Sequence, residues 1–405
     1  MSNLQGVGIS GPLKPFANGF AAELRRQGYT LNSTGAHLRL MAHLSRWLVA
    51  EDLNLEGLYV TQVERFLSAR RAAGYANHLT EKALRPMLTY LRQVGVVPMP
   101  PVAAPEGVVE EMLERYRHYL TVERGLGKGT ARGYVDAVRP FLGGRISPDG
   151  LTLELNHLSA ANVQAFVVAR CPAQSRSSAK LTITALRSFL GFLHVEGMIE
   201  RPLAAAVPSV AGWRLAELPK GLDAKEVRRL LKACDRRTQM GRRDFAMLTM
   251  LARLGLRSGE VSSLLLEDID WRAGTLAVRG KGNQMERLPL PADVGEAVAA
   301  YLRRGRPANT EDRSVFVRIK APNRGLSSAG VTQVVAAAGR RAGLGTIYAH
   351  RLRHTAATET LRAGASLPEV GQLLRHRRPL TTVIYAKVNR EALRTIARTW
   401  PGGVA

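Results

Sequence analysis

Four short clusters in the last part of the chain carry residue types that suit a single reaction. The first is Gly255-Leu256-Arg257-Ser258-Gly259-Glu260, and the second is Gly280-Lys281-Gly282-Asn283 with Arg287 close behind. The third is His350-Arg351-Leu352-Arg353-His354. The fourth is Leu374-Arg375-His376, and nine residues after that His, Tyr385 closes Thr381-Thr382-Val383-Ile384-Tyr385. Two Arg, one Lys and two His can surround one phosphodiester. Arginine forks neutralise the non-bridging oxygens, where charge builds in a pentavalent transition state. A His can take the proton of a nucleophile. A Lys on a hairpin can give one to a leaving alkoxide. A Tyr hydroxyl can be the nucleophile and conserve the bond energy in a phosphotyrosine. The sequence has no acidic cluster suited to Mg²⁺, and guanidinium groups can do the electrostatic work of such an ion. No cofactor and no metal are expected.

The elements that must hold these clusters can be read from periodicity and punctuation. Helices are expected over Asp223 to Cys234, Phe245 to Leu254, Asp293 to Arg304, Ser328 to Ala342, Arg351 to Ala363, Pro368 to Leu374 and Arg390 to Trp400. Short strands at Thr275 to Val278 and Leu288 to Leu290 flank Arg279-Gly280-Lys281-Gly282-Asn283, which reads as a hairpin turn. The region upstream is helical. Met41, Leu44, Trp47 and Leu48 share one face, as do Tyr134, Val138, Phe141 and Leu142. Two Pro-rich breaks separate the parts, VVPMPPVAAPEG and the stretch from Pro202 to Gly221. The fold class is therefore mostly α, with helical-bundle N-terminal domains and a mixed α+β domain carrying a small antiparallel sheet. The expected domains are 1–96, 107–202 and 220–405, with linkers at 97–106 and 203–219.

The first two domains read as copies of one bundle of about four helices. Leu84, Arg85, Met87, Leu88, Tyr90, Leu91 and Gly95 match Leu186, Arg187, Phe189, Leu190, Phe192, Leu193 and Gly197, each 102 residues on. Leu58, Val63, Phe66 and Arg70 match Leu158, Val163, Phe166 and Arg170 at an offset of 100, and Trp47-Leu48 matches Phe141-Leu142 at 94. The order is kept and the offset drifts one way, as loop insertions in a second copy would produce.

Composition narrows the function class. The chain has 405 residues, 45% hydrophobic and 22% charged, which excludes a disordered polymer. No run of 18 apolar residues and no secretory pattern is present. Two cysteines, Cys171 and Cys234, cannot make a disulfide framework or a four-thiolate zinc site, and a reducing cytoplasm fits. The net charge is +25, and 48 of the 58 basic residues are Arg, the side chain that grips phosphate with two parallel bonds. Residues 220–405 hold 34 Lys and Arg against 16 Asp and Glu, so phosphate contact is expected mainly there.

The clusters resemble the tyrosine recombinases, the phage-integrase-type site-specific recombinases. Arg257 sits in a Gly-Leu-Arg-x-x-Glu motif, Lys281 in a Gly-Lys-Gly-Asn hairpin, and His350 and Arg353 in a His-x-Leu-Arg box continued by His354. His376 matches a Leu-Gly-His motif, and Tyr385 ends a Thr-Thr-x-x-Tyr motif. The resemblance implies that Arg257 and Arg353 clamp the scissile phosphate and that Tyr385 attacks it, leaving a 3′-phosphotyrosine and a free 5′-hydroxyl. It makes Lys281 the general acid, His350 the base, His376 a phosphate hydrogen-bond donor and Glu260 an orienting residue. It implies a core-binding domain at 107–202 and a catalytic domain at 220–405 that clamp double-stranded DNA. A homo-tetramer on synapsed DNA would carry out exchange through a Holliday junction, with a tail, Asn389 to Trp400, docking onto a neighbouring protomer. Arg375 departs from the family's Gly, and Arg377-Arg378-Pro379 from smaller polar residues; extra phosphate contacts are expected from them.

His350 and His354 stand i, i+4, but Arg351 replaces the Glu of a metalloprotease helix, which argues against zinc. Gly125-Leu126-Gly127-Lys128-Gly129-Thr130 lacks Walker spacing and reads as a turn before a helix. The added domain 1–96 favours a mobile-element integrase or transposase, and it either extends the clamp or binds arm sites. A chromosome- or plasmid-resolving recombinase, a type IB topoisomerase-like enzyme and a DNA-binding paralogue that needs a companion recombinase or directionality factor stay open. Action in the cytoplasm, on nucleoid DNA, is expected.

Overall fold

A computed structural model describes residues 8–100, 106–209, 221–280, 284–308, 310–375, 382 and 385. It is mostly helical with one three-stranded antiparallel sheet. Residues 1–99 and 217–405 belong to one compact unit, and 100–216 form a second.

The first bundle consists of α1 (Ala17–Arg26), α2 (Leu31–Ala50), α3 (Val60–Ala72) and α4 (Glu81–Gln93). Thr30 starts α2 because its hydroxyl accepts the otherwise orphaned Ser33 N–H. Apolar residues at helical spacing close the core: Phe20 and Leu24, then Met41, Leu44 and Leu48, then Leu84, Leu88 and Leu91. Within this unit the Asn323 N–H donates to the Gln27 carbonyl at 2.9 Å, and Arg26 pairs with Glu311.

The second bundle consists of α5 (Val108–His118), which runs into a π turn at Tyr119–Glu123, then α6 (Lys128–Gly143), α7 (Ala160–Arg170) and α8 (Arg176–Val195). Ser159 and Ser175 cap α7 and α8. The glycine-rich stretch is the turn before α6, with Gly125 at φ +59°. Matched positions do matching work in the two bundles. Trp47 meets Phe66 at 5.6 Å in the first, and Phe141 meets Phe166 at 5.1 Å in the second. Gly95 and Gly197 both take positive φ just after the last helix.

The remaining segment holds α9 (Ala224–Lys232), α10 (Gln239–Leu254), α11 (Ser258–Ser262), β1 (Ile269–Asp270), β2 (Thr275–Arg279), β3 (Met285–Pro289), α12 (Ala292–Arg304), α13 (Ser328–Arg341), α14 (Ala349–Arg362) and α15 (Leu367–Leu373). The buried helix α10 is its centre and packs on α12, α13 and α14. α10 begins six residues before the expected Phe245, because Thr238 caps a polar first turn with no apolar stripe to announce it. In the sheet, Leu276 faces Leu288 and Arg279 faces Met285, so the hairpin is in register. β1 and α11 went unexpected, being two and five residues long. The expected helix from Arg390 to Trp400 lies outside the described residues. No described helix is long and apolar enough to cross a membrane.

Candidate active site

The site is assembled where α10 ends. Gly255 caps that helix in the left-handed region, φ +58°, and a Cβ there would stand 2.8 Å from Leu374 Cδ2 and 3.3 Å from Ala356 Cβ. Both the backbone and the packing require glycine. Gly255→Ala is expected to lower stability by about 2–3 kcal/mol, from left-handed strain and overpacking together. A Tm within a degree of wild type would contradict this.

The turn released by Gly255 delivers Arg257. This residue is the N-cap of α11, and its N–H donates to Glu260 Oε2 at 2.8 Å while its Nη1 donates to Oε1 at 2.5 Å. The Arg257 side chain remains 40% exposed, whereas that of Glu260 is 4% exposed. Burial raises the pKa of Glu260, but the charges of Arg375 and Arg257 and the Arg257 N–H overcome it and hold the carboxyl below its usual value.

Arg353 projects from α14 into the interior. Its Nη1 donates to the Gly255 carbonyl at 2.6 Å, and its Nη2 donates to the Leu374 carbonyl at the end of α15. One guanidinium thus ties the ends of two helices to a third. Burial, and the charges of Arg257 and Arg375, bring its pKa down to about 10, which leaves it fully charged near neutrality.

Tyr385 lies in a small apolar cluster with Ala357, Leu361, Val370 and Leu374, and it is 2% exposed. Its hydroxyl is hydrogen-bonded to Nδ1 of His354 at 2.7 Å. Burial pushes the phenol up to about 12. Burial, then the neighbouring His350 and Arg353, push His354 down to about 4. Near pH 7 the pair is a neutral phenol hydrogen-bonded to a neutral imidazole. His350, one turn earlier on α14, stacks edge-on against His354 at 4.3 Å between ring centroids. Its pKa is also held low, by partial burial and by Arg353 and Arg257.

The His354 shift has a stability consequence. The unfolded ring titrates near 6.5 and the folded one near 4, so the unfolded chain binds the extra proton between those values. Stability should fall as pH drops from about 6.5 to about 4, and His350 acts with the same sign. A Tm profile should become shallower over that range in His354→Phe, and an unchanged slope would contradict the assignment.

Of the six site residues expected from sequence, Arg257, His350, Arg353 and Tyr385 come together here. Lys281 and His376 lie outside the described residues, as do Arg377 and Arg378. The residues flanking the hairpin turn are closed by a Gly280 N–H to Gln284 carbonyl bond at 2.8 Å. The turn end of the hairpin is anchored by Arg279, which donates to both oxygens of Asp268 at 2.6 and 2.8 Å. Arg375 corrects an expectation. It was expected to add a phosphate contact, but its side chain is 2% exposed and donates to Glu260 Oε2 at 2.9 Å. A backbone at φ +55° turns it inward. His354 is a site residue to which the sequence motifs assign no role. The i, i+4 spacing that raised zinc also puts it on the His350 face of α14, in contact with Tyr385.

A buried tyrosine hydroxyl hydrogen-bonded to an imidazole lies beside guanidinium groups held by one carboxylate, a set of groups that can serve phosphoryl transfer. Comparison with known proteins agrees. Residues 220–392 match the phage integrase family, and residues 113–197 match the N-terminal SAM-like domain of phage integrases. The chain is 42% identical over 396 residues to the protein named integrase/recombinase y4rA of Sinorhizobium fredii, covering 97% of this chain and 95% of the relative. It is 30% identical over 292 residues to tyrosine recombinase XerD of Listeria monocytogenes, covering 71% of this chain and 97% of XerD. Among solved structures, the XerH recombinase bound to palindromic difH substrate superposes with a TM-score of 0.55 at 18% identity, over 82% of this chain and 93% of that one. A lambda integrase dimer bound to a COC′ core site gives 0.53 at 19%, over 75% and 85%. The chain belongs to the phage integrase family of tyrosine recombinases and is a site-specific recombinase that breaks and rejoins DNA strands.

Proposed function

We propose that this recombinase serves a mobile element as an integrase or transposase, with Tyr385 as its nucleophile. The observation that carries the reading is the Tyr385 hydroxyl held 2.7 Å from a neutral imidazole, next to Arg353 and within the reach of its charge. Attack by the hydroxyl oxygen on phosphorus forms a 3′-phosphotyrosine and expels the 5′-oxygen. The tyrosine proton passes to His354 or, through the adjacent ring, to His350. Arg257 and Arg353 neutralise the phosphate oxygens, Lys281 returns a proton to the 5′-oxygen, and His376 donates to the phosphate. The reverse attack by a 5′-hydroxyl rejoins the strand, so no external energy source is required.

The substrate is double-stranded DNA in the cytoplasm, bound by the excess of positive charge. The working assembly is a homo-tetramer on two synapsed duplexes that passes through a Holliday junction. A lambda integrase of similar fold, solved as a tetramer bound to a Holliday junction, supports this. A companion recombinase or directionality factor would act on this assembly. The test is a covalent trap: nicked duplexes tiled from the DNA flanking the gene are incubated with the protein and resolved under denaturing conditions. A covalent adduct on a tile at the element boundary supports the reading. An adduct only on a chromosomal or plasmid resolution site favours the second reading, a resolvase, to which the XerD similarity points.

The domain at 1–96 extends the DNA clamp as a second copy of the core-binding bundle. The matched Trp47–Phe66 and Phe141–Phe166 pairs support this. Hydroxyl-radical footprinting of the full chain should give one lengthened contiguous protected block. Separate protected blocks at distant sites would instead make it an arm-binding domain.

A further inference from the structure

We propose that Arg375 is a positioning residue for the phosphate-binding Arg257 and acts through Glu260. The inference rests on the reading of Arg257 as a phosphate ligand. Three costs mark the position. A non-glycine residue holds φ +55°, a guanidinium is buried, and its Nε has no hydrogen-bond partner among the described residues. The motif this segment resembles has glycine here, the residue that takes such a backbone without strain. Something must offset what the arginine costs.

The bonding pattern supplies it. Glu260 has two carboxylate oxygens and three donors. Oε1 takes Arg257 Nη1, and Oε2 takes both the Arg257 N–H and Arg375 Nη2. Arg375 Nη1 is in turn fixed on the Leu373 carbonyl at 2.8 Å. Arg375 thus adds a third donor to the carboxylate, which both arginines hold in one orientation. A second consequence is electrostatic. With Arg375 absent, Arg257 would be the partner that neutralises Glu260, and the internal pair would compete with the substrate phosphate. With Arg375 present, the carboxylate charge is already matched, and the exposed side of Arg257 is free to meet an incoming oxygen. The same short segment serves both guanidinium groups of the site. Arg353 grips the Leu374 carbonyl, and the next residue grips Glu260.

The test uses the full chain, a nicked suicide duplex and single-turnover cleavage. Arg375→Gly retains the backbone freedom needed at this position, so folding can be verified by Tm. We expect cleavage at saturating DNA to slow by roughly ten- to a hundredfold, the scale of a small misplacement of a reacting group, with duplex affinity changed less than about twofold. Glu260→Gln should slow cleavage comparably, and adding Arg375→Gly to it should cause little further loss, because both act on Arg257 by one route. Arg257→Ala is measured alongside. If Arg257→Ala is slow while Arg375→Gly cleaves at the wild-type rate, only the Arg375 proposal falls. Multiplicative losses in the Glu260→Gln, Arg375→Gly double variant also overturn it. If Arg257→Ala itself cleaves normally, the phosphate-ligand reading fails and takes this one with it.

Discussion

Tyr385→Phe is expected to form no covalent protein–DNA adduct while binding duplex DNA as tightly as the wild type. The substitution removes one oxygen from a ring that lies among Ala357, Leu361, Val370 and Leu374. Phenylalanine keeps the ring and its packing, so the structural cost includes the hydrogen bond to His354, about 1 kcal/mol net. The chemical cost is complete, because no oxygen remains to bond to phosphorus. The readout is the trapped adduct on a nicked duplex, with filter binding or anisotropy as the control for affinity. An adduct formed by the Phe variant would remove Tyr385 from the mechanism, whatever its place in the structure.

The second large effect separates two arginines that share a charge and differ in burial. Arg257→Ala and Arg353→Ala should each slow cleavage by roughly 10²–10³-fold, the usual loss when one preorganised donor to developing charge is removed. Their effects on folding should diverge. Arg257 is partly exposed, so its loss should cost little stability beyond freeing Glu260, which still has Arg375. Arg353 is buried and satisfies the carbonyls of Gly255 and Leu374. Its removal leaves both without that donor and opens a cavity, and roughly 2–4 kcal/mol should be lost. Urea unfolding beside single-turnover kinetics measures both. Equal stability in the two variants would contradict the bonding described for Arg353.

Much of this site could be read before any coordinates. Arg257, His350, Arg353 and Tyr385 were placed by residue type and spacing, because the reaction demands those side chains and each sits at a recognisable helix start, helix face or turn. Gly255 was legible as a helix stop for the same local reason. What escaped the sequence was set at long range. Arg375 meets a carboxylate 115 residues away, and whether it turns outward or inward depends on one backbone angle that no local pattern reveals. His354 meets Tyr385 across 31 residues, so its i, i+4 spacing could raise a question but not answer it. The π turn at Tyr119–Glu123, β1 and α11 are too short to show a period. The grouping of residues 1–99 with 217–405 in one unit depends on contacts such as Asn323 with Gln27, which leave no trace in composition.

The near-complete burial of Tyr385 has one more implication. A chain carrying +25 will touch every duplex in its surroundings, and most of those encounters are with the wrong sequence. A nucleophile at the surface would turn such grazing contacts into nicks. With Tyr385 as the proposed nucleophile, a hydroxyl sequestered against His354 would be withheld from accidental partners, and selectivity would begin as steric concealment, before any base is read.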